Sequence, residues 1–194
     1  MDSLAGNYDV ANNIDDPANP CFYYVEGCTS SSLSKACSSC TACFQKAFAF
    51  TPTWMMEGGA ELLACHLGEQ HGWGERDQTM RWYAESLENA GELRYSLRDM
   101  EEIETAGPLI ARWHRELAYE AGAWAVAYII SRSLDKGIRT YYQTFYPLAH
   151  TKGWQAALCE YTGAKSVDAF YEDFQSFITQ PLDERVILLT TLKV

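Results

Sequence analysis

From Ser32 to Ile178 the apolar residues return every three or four positions, and the breaks between runs fall at glycine and proline. That period belongs to helices, and nothing comparable with strand alternation interrupts it. Cys37, Cys40, Phe44, Ala47 and Phe48 share one helix face. Thr51 as a cap and Pro52 at the first helical position start the next helix, Trp54 to Leu67, which the glycines 68, 72 and 74 end. Further helices are expected over Asp77 to Asn89 and, more briefly, Asp99 to Glu104. Pro108 opens the longest, Leu109 to Leu134, with Ile110, Trp113, Leu117, Ala121, Trp124 and Tyr128 as its inner stripe. Ala118, Ala121, Gly122 and Ala125 leave that helix thin enough for a close neighbour. Three more follow: Ile138 to Tyr146, Gly153 to Tyr161, and Val167 to Ile178, the last capped by Ser166 and buried through Phe170, Phe174 and Phe177. The tail ERVILLTTLKV is rich in β-branched residues and reads as one short strand. The expectation is an all-α fold, an irregular bundle of about six to seven helices with at most one short C-terminal strand. Residues 1–31 form a loop-rich leader of turn formers, 32–181 the helical domain, and 182–194 a tail.

The chain has 194 residues, 47% of them hydrophobic and 21% charged, enough for a core of its own. Its net charge of −11 argues against nucleic-acid binding and against docking on an anionic membrane. The uncharged stretch Ala121 to Ile130 is far short of the ~20 residues that a membrane-spanning helix needs. The N-terminus shows neither the basic start nor the apolar run of a signal peptide.

Cys21, Cys28, Cys37, Cys40 and Cys43 cluster, while Cys65 and Cys159 stand apart. Cys37-x-x-Cys40-x-x-Cys43 leaves three readings open: buried thiols, disulfides involving Cys21 or Cys28, or a metal site. No strand precedes it, which argues against a thioredoxin-type redox motif. The compartment stays unknown, with the cluster leaning towards an extracytoplasmic origin.

The segment TPTWMMEGGAELLA carries the most chemistry. Glu57 and Glu61 are four apart and project from one helix face. Gly58 and Gly59 beside them each cost about 1 kcal/mol relative to alanine in a helix interior, so something must benefit from the missing side chains. Close approach of another backbone or of a ligand is the usual reason. The plainer reading of the glutamates is that they face water or pair with Arg112 or Arg115.

Trp54-x-x-Glu57-Gly58-x-Ala60-Glu61 resembles the second zinc-ligand helix of gluzincin-type, peptidase-MA-like metallopeptidases. Tyr119-x-x-Gly122-x-x-Ala125-x-x-Tyr128-Ile129 looks like the helix that follows in that family, and Gly153-Trp154 through Phe170-x-x-x-Phe174 like its terminal helix pairs. The likeness runs roughly from Thr51 to Pro181. It implies that Glu57 is the third zinc ligand, that Glu61 orients groups around the metal, and that Tyr119 stabilises an oxyanion. Zinc is expected in a full-length relative and not in this chain alone. A zinc hydrolase needs three protein ligands and a base for the bound water. The family takes two ligands and the base from an upstream His-Glu-x-x-His helix. Here no histidine is followed by glutamate, and none precedes His66. Either Met1 is an internal methionine of a longer metallopeptidase, or the chain is complete and has lost the site. The loop-like beginning, without the sheet that gluzincin domains place first, favours the former.

The expected function is therefore the C-terminal part of a gluzincin-like zinc metallopeptidase, inactive as it stands, with peptide substrates only where the full domain exists. The alternative is a non-catalytic all-α interaction or self-assembly module, associating through exposed apolar surface. Tyr119 also reads as a packed helix tyrosine. His66 and His71, with Glu69, read as surface or capping residues, Trp73 as a loop anchor, and Tyr141, Tyr142, Phe145 and Tyr146 as core. Asp99, Glu101, Glu102 and Glu104 read as a solvated helix face.

Overall fold

The computed structural model describes residues 51–89, 96–101 and 115–193. The chain divides into two units, residues 1–49 and 50–194, and every described residue belongs to the second. The cysteine cluster, the loop-rich leader, Ile110, Arg112 and Trp113 lie outside the described residues.

The fold is all-α. Among the described residues seven α-helices follow one another: α1 Thr53–Gln70, α2 Arg76–Asn89, α3 Gly122–Arg132, α4 Ile138–Lys152, α5 Trp154–Thr162, α6 Val167–Ile178 and α7 Leu182–Thr191. A 3₁₀ turn, Leu97–Met100, follows α2, and a π-helical turn, Arg115–Ala121, runs directly into α3. No described helix is long and apolar enough to cross a membrane.

Helix α3 is the hub. Its residues 122 to 127, with Ile129 and Ile130, are buried, and α1, α5, α6 and α7 all pack against it. Trp124 lies in the core and donates to the Met80 carbonyl at 3.1 Å, which ties α3 to α2. Leu117, Ala121 and Trp124 of the expected stripe are buried, and Tyr128 at its end stacks on Phe177 of α6 at 4.8 Å. Phe170, Phe174 and Phe177 are buried as their spacing requires, and the Ser166 hydroxyl caps α6 by accepting from Ala169 N at 3.1 Å.

Helix boundaries shift where chemistry permits. Pro52, not Thr51, is the cap residue of α1: its carbonyl accepts from Met55 N at 2.9 Å and Met56 N at 3.1 Å. Helix α4 runs through Pro147 to Lys152 instead of stopping at Tyr146. The hydrogen bond that Pro147 cannot donate would end at Gln143, which is exposed, so water can serve that carbonyl. Gly163, in the left-handed region at φ +73°, ends α5.

The tail expected to be one short strand is instead helix α7. Alternation would bury every second residue from Val186 to Leu192. The buried set is Arg185, Val186, Leu189 and Leu192, a helical spacing, while Ile187 and Thr190 face out. Buried Arg185 pairs with Glu88 of α2 and lies 5.9 Å from the Trp124 ring. These tertiary contacts outweigh the β preference of the branched residues. Only past the helix does Lys193 meet Gly137 in a single parallel bridge, with Ile138 N donating to Lys193 O at 3.0 Å. Residues 182–191 thus belong to the helical body.

Candidate functional site: two carboxylates held by two tyrosines

Helix α1 meets the start of α3 backbone to backbone. A Cβ built on Gly58 would lie 2.0 Å from the Gly122 carbonyl carbon and 2.5 Å from Ala123 N. A Cβ on Gly122 would lie 2.4 Å from the Trp54 carbonyl oxygen. No side chain fits at either position, so the helical cost of the two glycines is offset by contact between main chains. Gly59 answers to a different neighbour. Its missing side chain leaves room for Tyr146, whose hydroxyl would sit 2.8 Å from a Cβ there, and its carbonyl accepts from the Tyr142 hydroxyl. Of the two explanations for the glycine pair, close backbone approach holds for Gly58. Tyrosines of α4 fill the space beside Gly59.

The crossing fixes where the glutamates point. Trp54 and Met55, on the inner face of α1, are fully buried, while Glu57 and Glu61 are half-exposed. The Trp54 indole donates to the Tyr171 hydroxyl at 3.3 Å, and that hydroxyl in turn donates to Glu101. The Thr53 amide donates to the Glu101 carbonyl at 3.3 Å, so the first turn of α1 is pinned on two sides. Glu101, placed on a solvated face by its sequence, is in fact an acceptor for a largely buried tyrosine.

Each of the two carboxylates meets a tyrosine from another element. Tyr119, half-buried on the π turn, faces Glu57 closely enough for that carboxylate to perturb its hydroxyl. Burial first, and then the Glu57 charge, raise its ionisation above the ordinary tyrosine range. Tyr83 of α2 donates to Glu61. Its hydroxyl also lies close to the Cys65 thiol, one turn beyond Glu61 on α1. Burial above all, then the bond to Glu61, pushes Tyr83 far above the ordinary tyrosine value. Burial likewise pushes the Cys65 thiol up to about 11, which keeps it protonated and unreactive at neutral pH. Cys65 and Cys159 are both free thiols.

The π turn is itself informative. Its widened backbone adds a residue to the turn that leads into α3, and such turns recur at functional sites. It places Tyr119 against α1 and leaves the neighbouring Glu120 carboxylate only 2% exposed. A buried carboxylate is costly unless the fold uses it.

The sequence reading brought together Glu57, Glu61 and Tyr119, and the structure does gather them around one face of α1. It did not single out Tyr83. Nothing in the spacing of α2 marks that residue, because its partner lies on another helix. Glu120 carried a signal that was passed over, as a lone charge in the small apolar run from Leu117 to Ala127.

The histidines fall elsewhere. His66 is 1% exposed and contacts Gln70 side chain to side chain at 3.2 Å, so its reading as a surface or capping residue is corrected to a buried one. It faces into the bundle because Trp54, Gly58, Leu62 and His66, each four residues apart, line the inner face of α1. Its ring is held below the ordinary histidine range by burial and by nearby Arg76. Trp73 is 80% exposed and stacks on His71 at 4.8 Å, so it anchors nothing beyond its own turn. The run Tyr141, Tyr142, Phe145 and Tyr146 is buried core, as expected.

The fit to zinc is partial. Among the described residues no three His, Cys, Asp or Glu side chains gather into a group able to hold a metal ion. Glu57 offers one carboxylate, whereas a zinc site needs three or four protein ligands.

No family model, no curated protein and no solved structure matches this chain.

Proposed function

We propose that the helical body is the C-terminal part of a gluzincin-like zinc metallopeptidase whose His-Glu-x-x-His helix this chain does not contain. The observation that carries the reading is the meeting of Glu57 and Tyr119. The glutamate of the Trp-x-x-Glu-Gly-x-Ala-Glu segment, the expected third ligand, lies beside the tyrosine expected to serve the oxyanion. Sequence likeness nominated the two separately, and the Gly58–Gly122 crossing and the π turn bring them together. In this reading Glu61, which accepts from Tyr83, would orient groups around the metal in the longer protein. Zinc belongs to the longer protein in this reading. The chain alone is inactive, because a lone carboxylate and a phenol neither bind the metal nor activate water.

The test is to read the gene upstream of the Met1 codon in the same frame. By the family likeness, the proposal expects an open frame encoding His-Glu-x-x-His within ~20 to 80 codons. A stop codon close upstream with no such motif would overturn it. Zinc-dependent peptide hydrolysis by the 194-residue chain itself, lost on Glu57→Ala, would overturn the claim that this part is inactive alone.

A further inference from the structure

We draw no further inference here: the strongest candidate outside the carboxylate–tyrosine site, the outward-facing Trp82 of α2 and Ile187 of α7, exposed at 56% and 63% on two helices that pack together, carries nothing because nothing in the structure shows what covers it.

Discussion

The α1–α3 crossing and the aromatic seam of α4 both lie against helix α1, and they are built in opposite ways. At the crossing the close fit comes from side chains that are absent: Gly58 and Gly122 bring two main chains into contact. In the seam it comes from large side chains. Tyr141 stacks on Phe145 at 5.0 Å, Tyr142 stacks on Tyr146 at 5.9 Å, and Tyr161 of α5 closes edge-on against both Tyr141 and Phe145. A seam of interlocking rings can adjust when one ring changes shape, whereas a backbone contact has nothing to rotate away. The positioning of Glu57 rests on the rigid region, since Glu57 is the residue next to Gly58.

The largest effect is expected in the seam. Phe145→Ala should cost about 3–5 kcal/mol through the cavity it leaves, while Phe145→Leu should cost less than about 1.5 kcal/mol. Denaturant melts of the two variants check the difference, and equal losses would mean that the seam is as unforgiving as the crossing.

Gly58→Ala comes next. One methyl group, placed 2.0 Å from a backbone carbon, should cost about 2–3 kcal/mol even though alanine is the better helix former. In a chain of this size that lowers the melting temperature by roughly 4–12 °C. Gly68→Ala is the control within the same helix. A Cβ there meets nothing within 4 Å, so the variant should gain about 0.5–1 kcal/mol. If both variants melt together, the close crossing is refuted.

The smallest effect is that of pH on the inner face of α1. His66 is buried beside Arg76 and Glu69, and its folded-state pKa lies below the ordinary 6.5. Between the two values the unfolded chain binds the extra proton. This contribution to stability is fully present above about pH 6.5 and is lost as the pH falls towards the folded value. Melts at pH 7.5 and 5.5 should show a loss at the lower pH that His66→Gln reduces. An unchanged loss in that variant would assign the effect to other groups.

The helices were legible because their signals are local. The Ser166 cap and the phenylalanine spacing of α6 each act within one or two turns. Gly58 and Gly122 showed that close approach was needed, though not which helix would supply it. What depended on distant partners was illegible. Tyr83 lies 22 residues from Glu61, and Arg185 lies 97 from Glu88. The β-branched tail became helix because Arg185, Val186 and Leu189 had a core to enter. His66 was misjudged because a lone histidine near a helix end carries no mark of burial. In the candidate site, Glu57 was legible from its spacing to Glu61 beside two glycines, Tyr119 only through likeness to a family pattern, and their proximity only through the fold.

The most direct measurement is the zinc content of the longer polypeptide that the proposed function expects, purified as wild type and as Glu57→Ala. The account predicts about one zinc per wild-type chain, with metal lost from the folded variant together with peptide hydrolysis, because a three-ligand site does not survive the loss of a ligand. Helical circular dichroism confirms that the variant folds. Full zinc occupancy in a folded Glu57→Ala protein would contradict the account and leave Glu57 a half-buried carboxylate beside Tyr119.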